Sequence, residues 1–264
     1  MSDFTSITVR TENHVAWVTL NRPEQRNAVN SQMRDELLRV FADAQNSADI
    51  RALVLTGAGK GFCTGADLSG PRAGGASGPG ATRLVMKASS QRLIRALWEL
   101  EKPTVAAVNG VAAGLGAHLA FACDLLVASA EARFIEVFVR RGLAVDAGGA
   151  FLLPRLVGLC RAKELVFFGD DLSAEQAAQW GLVNRVVAPA ELESTARQWA
   201  ERLAQGPTVA LGLSKRLLNR SLESDLDTAL EEEALAQTIV AQSEDMQEGV
   251  RSFLERRAPR FQGR

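Results

Sequence analysis

Cysteine is scarce in this chain, and the three cysteines present are not spaced to bind a metal. Cys63, Cys123 and Cys160 form no CxxC motif, and each lies in an apolar or glycine-rich stretch. This context is typical of buried, reduced thiols. An odd number of cysteines, without a secretory signal pattern, favours a reducing compartment, and we expect a cytoplasmic protein.

The chain also has little net charge and no long uninterrupted apolar run. The formal net charge of the 264 residues is −1, which gives no indication of a nucleic acid or an anionic membrane as a partner. The long apolar stretch at 102–124 contains glycines, Asn109 and His118, so it is better interpreted as a core strand and helix than as a membrane span. No GxGxxG follows a first strand with an acidic residue downstream, which disfavours dinucleotide binding.

The apolar patterns that are present predict an α/β fold followed by helices. Strand, strand and helix recur at intervals of roughly 50 residues, which predicts a ββα superhelix. Ser31 is a predicted helix N-cap, and Ser173 opens a predicted capping box. The residues at 69–81 are almost all Gly, Ala, Ser and Pro. This composition predicts a flexible loop, which we expect to lie beside the site as a lid. The pattern is helical throughout from Pro189 onward.

Two glycine-rich segments follow predicted strands and can present backbone N–H groups to one ligand atom. In the first, Gly114 and Gly116 flank Leu115 where a helix begins after the strand at 104–108. The first N–H groups of a helix have no internal partner. The second segment, GKGFCTGADL at 59–68, also leads out of a strand. Two such loops can form an oxyanion hole, although a glycine-rich helix packed tightly on a sheet would explain the first segment alone.

Together with NRPEQRNAV at 21–29, these segments resemble the crotonase family, the enoyl-CoA hydratase/isomerase superfamily. The resemblance runs from about residue 5 to the C-terminus. It implies a crotonase-like ββα core over 1–200 with the acyl-CoA site, and a C-terminal helical domain over 201–264. That domain would form a homotrimer or a dimer of trimers. The resemblance places the two oxyanion N–H donors on Ala66 and Leu115. It implies an acyl-CoA substrate and neither a metal nor a separate cofactor, because coenzyme A is part of the substrate.

Three residues are candidates for the chemistry, and Phe138 marks a departure from the family pattern. The resemblance puts His118 and Phe138 where hydratases of the family carry catalytic glutamates. Histidine can exchange a proton near neutral pH or can be a satisfied core residue, whereas phenylalanine cannot activate a water. Glu136, two residues before Phe138 on a strand-like segment, is a weaker candidate. Asp146 matches the aspartate of some family isomerases and of its aroyl-CoA dehalogenases, but it could instead cap a helix.

The resemblance also implies a set of substrate-binding and CoA-binding residues, because phosphates favour cations that hydrogen-bond in several directions. Asp67 is assigned to this set too, although we expect it to hold its own loop. Arg256 and Phe253 would reach the site of a neighbouring subunit, unless they form a solvated basic helix end. The full set is Arg26, Ala28, Asp67, Leu68, Phe138, Phe253 and Arg256.

These residues predict an isomerase that moves the double bond of a 3-enoyl-CoA to the 2-position, or rearranges a ring-containing acyl-CoA, through a thioester enolate. Asp146 would be the acid/base, with His118 secondary. Two alternatives stay open at this point. One is an enoyl-CoA hydratase that uses His118 or Glu136, and the other is a non-catalytic acyl-CoA-binding protein.

Overall fold

The computed structural model describes residues 4–69 and 80–264, so the predicted lid loop lies almost wholly outside the described residues. The strands are β1 (Ile7–Glu12), β2 (Val15–Leu20), β3 (Ala52–Gly57), β4 (Gly61–Cys63), β5 (Thr104–Val108), β6 (Val111–Ala113), β7 (Leu125–Ser129), β8 (Arg133–Ile135), β9 (Asp171–Ser173) and β10 (Arg185–Val187). The α-helices are α1 (Ser31–Asn46), α2 (Ala81–Ala88), α3 (Ser90–Trp98), α4 (Leu115–Phe121), α5 (Gly149–Phe168), α6 (Ala174–Gln179), α7 (Leu192–Ala204), α8 (Thr208–Arg220), α9 (Leu226–Val240) and α10 (Glu244–Leu254).

The strands form two sheets, and the chain alternates between them. The larger sheet has the order β1-β2-β3-β5-β7-β10, and the smaller one has the order β4-β6-β8-β9. Each sheet is parallel except for one antiparallel pair, β1 with β2 and β8 with β9. Each successive strand pair therefore adds one strand to the larger sheet and one to the smaller sheet, which confirms the predicted ββα superhelix. The pairs begin at Ala52, Thr104 and Leu125, so the expected regular interval of about 50 residues is wrong.

The larger sheet is covered on both faces. Its central strand β5 is buried along its whole length, as expected for a parallel strand with two packed faces. One face packs against α7 through Ala196, Ala200 and Ala204, which share one side of that helix because they are four residues apart. The other face packs against α1, α3 and α4, and every residue of α4 is buried. The helix that carries Leu115 and His118 is thus the centre of the core.

Most helix ends follow the sequence signals, with two corrections. The capping box at Ser173 is confirmed. The N-cap of α1 is Asn30 rather than Ser31, because the Asn30 side chain accepts a hydrogen bond from the N–H of Met33. The sequence pattern predicts two helices over 146–156 and 159–168. The break between them is confirmed at Gly158, where φ is 78°, but the first helix begins at Gly149 and not at residue 146. Cys63 and Cys123 are buried as expected, but Cys160 is exposed, which corrects the expectation for that thiol.

The C-terminal segment is tied back to the core by hydrogen bonds to backbone groups. Asp245, at the start of α10, is buried and accepts hydrogen bonds from the N–H groups of Gln262 and Gly263. Arg51 donates to the carbonyl oxygens of Phe261 and Gln262. No helix in the described part of the chain combines the length and apolar character needed to cross a bilayer. The division near residue 200 and the trimer stay predictions.

Candidate functional site

A buried asparagine joins the first two sequence motifs. Asn27 has no exposed surface, and its side-chain amide donates to the carbonyl oxygens of Ala58 (2.9 Å) and Gly61 (2.8 Å). Its side-chain oxygen accepts from the N–H of Arg22 at 2.9 Å. A buried polar side chain with all these partners is strongly oriented. The loop at 21–29 is therefore fixed against the strand pair that carries the GADL segment.

The backbone around Ala66 directs its N–H away from the neighbouring loop. Val29 forms an isolated parallel bridge with Ala66, in which the N–H of Val29 donates to Gly65 and the N–H of Asp67 donates to Val29. Successive N–H groups along an extended chain point to opposite sides, so the N–H of Ala66 faces the other way. It donates to no protein acceptor within the described ranges.

The N–H of Leu115 is available for a different reason, because Leu115 is the first residue of α4. Gly114 precedes it with φ 52° and ψ −124° and offers no capping side chain. The hydrogen bonds of residues 4–69 and 80–264 include no protein acceptor for this N–H. A backbone N–H at an uncapped helix start can donate to an anion or to a polarised carbonyl oxygen.

Two glycines allow the two donor loops to meet. A Cβ on Gly116 would lie 2.2 Å from the carbonyl oxygen of Cys63, so α4 and β4 touch backbone to backbone. A Cβ on Gly65 would lie 2.9 Å from the carbonyl oxygen of Ala113 and 3.6 Å from the nitrogen of Leu115. The sequence resemblance assigns Ala66 and Leu115 as a pair of donors. The loops that carry these two residues are therefore direct neighbours in space.

His118 is completely buried and paired with a carboxylate. Its Nε2 lies 3.1 Å and 3.2 Å from the two carboxylate oxygens of Glu136, which is itself 2% exposed. Its Nδ1 has no partner among the described residues. In this arrangement His118 presents no surface to a substrate. Glu136, the weaker candidate from sequence, is its immediate partner.

Phe138 covers the imidazole of His118. The two rings stack with centroids 5.5 Å apart and an angle of 16° between planes. The ring edge also lies 3.5 Å from the place of a Cβ on Gly114, at the start of α4. Phe138 is not on a strand as the sequence suggested, because β8 ends at Ile135 and Phe138 has helical φ and ψ angles. An apolar ring thus occupies the space beside the Leu115 donor.

Asp146 is half-buried and does not cap α5, which corrects the alternative reading of this residue. The N-cap of α5 is Gly148, without a side-chain cap, and the N–H of Gly149 donates to the backbone oxygen of Asp146. Within the described chain the Asp146 carboxylate accepts no hydrogen bond. Burial raises the pKa of Asp146, while the charge of His118 opposes that rise and the charge of Glu136 adds to it. A carboxyl with a raised pKa is suited to exchange protons.

Asp67 holds its own loop, which matches the expectation from its position. Its carboxylate accepts hydrogen bonds from the N–H (2.9 Å) and the hydroxyl (2.6 Å) of Ser69, and it pairs with Arg22 at 2.8 Å. Hydrogen bonds from Ser69, and then the Arg22 guanidinium, hold the pKa of Asp67 at about 2. Leu68 beside it is 69% exposed. Asp67 is therefore a charged anchor for the segment that carries Ala66.

The remaining predicted CoA residues separate into two groups. Arg26 is exposed and Ala28 half-buried on the first loop, and the carbonyl oxygen of Arg26 accepts from the N–H of Thr64 next to the donor segment. Phe253 is 82% exposed at the end of α10, and Arg256 follows it with a φ of 54°. The first pair lies beside the donor loops, whereas the second belongs to the C-terminal helices.

Within the described residues, no three His, Cys, Asp or Glu side chains cluster in a way that could hold a metal ion. A cavity of about 700 Å³ lies between α3, the start of α5 and α8, with Trp98, Phe151 and Lys215 in its lining. Neither donor loop lines this cavity, so we assign the site from the backbone donors and Asp146 and not from the cavity.

Sequence reasoning missed two contributions to the site. The buried role of Asn27 was not assigned, although its place inside a motif that resembles a known one could have indicated it. Gly149 lies so close to His118 that a Cβ there would be 2.4 Å from the imidazole, and nothing in a single sequence signals this contact.

Comparison with known proteins gives one consistent result. The sequence model of the family described as Enoyl-CoA hydratase/isomerase matches residues 10–264. The chain is 43% identical to the 1,2-epoxyphenylacetyl-CoA isomerase of Escherichia coli (strain K12), over 96% of this chain and 97% of that protein. It is 37% identical to the short-chain-enoyl-CoA hydratase of Clostridium acetobutylicum, over 97% of each chain.

The fold is shared with solved structures as well. The crystal structure of an enoyl-CoA hydratase/isomerase from Cupriavidus metallidurans CH34 superposes with a TM-score of 0.93 at 36% sequence identity. The match covers 100% of this chain and 98% of that one. Relatives of this chain thus carry both hydratase and isomerase names.

Proposed function

Because this chain belongs to the enoyl-CoA hydratase/isomerase family, the crotonase superfamily, we propose that it isomerises 3-enoyl-CoA to 2-enoyl-CoA, or rearranges a ring-containing acyl-CoA. Members of this family are enzymes, so the alternative of a non-catalytic acyl-CoA-binding protein falls away. The observation that carries the proposal is the Asp146 carboxylate. It is half-buried and outside the helix cap, and its pKa is raised.

The proposed reaction needs one base and two N–H donors. Asp146 takes a proton from C2, and the electron pair of that C–H bond moves to the thioester oxygen through the C1–C2 bond. The N–H groups of Ala66 and Leu115 stabilise the resulting dienolate, each by about 3 kcal/mol of barrier. Asp146 then returns the proton to C4, which leaves the double bond between C2 and C3. The proposed steps require neither a metal nor a redox cofactor, because the proton transfers cause no net oxidation or reduction and the two N–H donors stabilise the enolate charge.

Phe138 supports isomerisation over hydration. Hydration requires groups that hold and deprotonate a water, and an aromatic ring has neither donor nor acceptor for it. The ring lies beside Gly114 and is 7% exposed. A second candidate function, hydration of 2-enoyl-CoA, is favoured by the names of hydratase relatives. It would depend on His118 or Glu136, which are both buried against one another.

The test replaces Asp146 with Asn, which keeps the shape and removes the base. We expect kcat for isomerisation to fall by at least about 10²-fold with acyl-CoA affinity little changed. Asp49→Asn, a change at an exposed aspartate, is the matched control and should be silent. Full isomerase activity in Asp146→Asn would refute the assignment. Loss of crotonyl-CoA hydration in His118→Ala or Glu136→Gln would then establish the hydratase alternative.

We also propose that the protein forms a homotrimer or a dimer of trimers, in which Arg256 and Phe253 reach a neighbouring site. The C-terminal helices carry many exposed apolar side chains, more than isolated surface residues of a monomer require. They are Leu218, Leu226, Leu230, Leu235, Ile239, Val250, Phe253 and Leu254, and the exposed Leu222 lies in the turn between α8 and α9. Light scattering at micromolar concentration should give a multiple of three times the 28.4 kDa chain mass, and a monomer would contradict it.

A further inference from the structure

His118 and Glu136 form an acid–base pair that packing alone does not explain. Both are buried, at 0% and 2% exposure, and the Nε2 of His118 lies within hydrogen-bond distance of both carboxylate oxygens. A buried ion pair is on balance no more stabilising than apolar residues of the same volume. Because Nε2 faces a carboxylate, its hydrogen is on Nε2, and Nδ1 is left without a partner in the described chain.

The imidazole of His118 is held in one orientation by its surroundings. Phe138 stacks on one face, and Phe121 lies with its ring centroid 6.2 Å away at a 45° tilt. Gly149 approaches so closely that a Cβ would lie 2.4 Å from Cε1 and Nε2. An imidazole that is packed on several sides and hydrogen-bonded to Glu136 cannot turn its ring without displacing these neighbours.

The same packing brings the pair against the turn that carries the proposed base. The N–H of Gly149 donates to the backbone oxygen of Asp146 at 2.9 Å, so this turn rests directly on the imidazole. The charged groups that act on Asp146 in the described structure are His118 from α4 and Glu136 from the residue after β8. No hydrogen bond joins Asp146 to either within the described residues, so they act on it through space.

We propose that the His118–Glu136 pair is a positioning element for Asp146, in which Glu136 fixes the imidazole of His118 against the turn that carries that carboxylate. Glu136 orients His118, and His118 acts on Asp146 without touching substrate. The role of Asp146 as the base rests on the proposed function, whereas its electrostatic coupling to the pair does not.

The direction of the coupling follows from the charges. His118 lowers the pKa of Asp146 and Glu136 raises it, and the influence of His118 is the larger of the two. Removal of both side chains should therefore raise the pKa of Asp146. A base with a higher pKa is deprotonated only at higher pH, so the acid limb of kcat/KM should move to higher pH.

The test uses the double variant His118→Phe/Glu136→Leu, which replaces both partners by apolar groups and leaves no buried charge unpaired. The protonation of Asp146 is followed by 13C NMR of aspartate-labelled protein, with its resonance identified by its absence in Asp146→Asn. We expect the titration midpoint to rise by at least about 0.5 pH unit in the double variant. Phe121→Leu, which alters the packing around the imidazole but no charge, is the control and should leave the midpoint unchanged.

An unchanged midpoint in the double variant would overturn the inference. If the midpoint moves but the parent protein shows no isomerase activity, the proposed function fails and the coupling stands. A second measurement covers the case in which the double variant does not fold. The chain has two histidines, so His14→Gln leaves His118 as the sole imidazole for 15N NMR. We expect hydrogen on Nε2, and a form with hydrogen on Nδ1 alone would also overturn the inference.

Discussion

Substitution of Gly116 by alanine tests whether the two donor loops depend on backbone contact. The added Cβ would lie 2.2 Å from the carbonyl oxygen of Cys63, 2.7 Å from its carbonyl carbon and 2.8 Å from its Cβ. Ordinary contacts begin at 3.4 Å, and two of the three atoms are backbone that no rotamer change can move. The helix α4 and strand β4 would therefore have to separate by about 1 Å in a close-packed core.

The separation predicts two measurable losses. Overpacking of this kind costs about 1–3 kcal/mol of stability, which denaturation in urea followed by tryptophan fluorescence would detect. A displacement of about 1 Å at the Leu115 donor should lower kcat by about 10²-fold, more than the stability loss alone explains. Gly80→Ala is the matched control, since no atom of the described residues lies within 4 Å of its added Cβ and its φ is −85°.

The outcome that refutes this reasoning is specific. If Gly116→Ala unfolds within about 0.5 kcal/mol of the parent and keeps full activity, the loops are not held by backbone contact. A loss of stability with unchanged kcat would mean that the Leu115 N–H is not used in the reaction.

Two further predictions concern side chains that anchor chain segments and do not themselves react. Asp67, whose pKa is held at about 2 by Ser69 and then Arg22, should stabilise the fold at neutral pH. We expect Asp67→Asn to lower the free energy of unfolding by on the order of 1 kcal/mol at pH 7, after discounting for solvent screening. The difference in unfolding free energy between parent and variant should shrink as pH falls from about 4 towards 2. A pH-independent difference in urea titrations would contradict this prediction. Arg51→Ala removes donors to the carbonyl oxygens of residues 261–262, so limited trypsin digestion should release the C-terminal residues faster than in the parent, and equal rates would argue against this anchor.

The sequence predicted the elements of the site better than their surroundings. The glycines around Leu115 and in the GADL segment indicated a close approach of two backbone segments, and the family resemblance assigned the two proposed donors to them. The boundaries of β5 were also predicted correctly, since Pro103 and Asn109 mark its two ends. These features are local, and local chemistry fixes them.

The parts that sequence did not predict depend on contacts between distant segments. Glu136 and His118 are 18 residues apart and meet because β6 and β8 pair side by side. His118, a candidate acid/base from the sequence, is therefore a buried partner of Glu136 in the structure. No periodicity in the sequence indicates this contact. The possible capping role of Asp146 failed for a related reason. The turn before α5 takes a left-handed path through Ala147 and Gly148, with φ values of 45° and 82°, so the helix starts three residues later than its apolar pattern suggests.

The backbone origin of the two donors has a consequence for how this site can diversify. Neither the methyl group of Ala66 nor the side chain of Leu115 supplies a donor, so both can change while the path of the chain, fixed by Gly65 and Gly116, stays the same. Only proline would erase a donor, because it has no N–H. The proposed oxyanion donors and the proposed acid/base are thus encoded by different positions. A library that varies positions 118, 136, 138 and 146 and keeps the glycines would sample new reactions with the same pair of backbone donors.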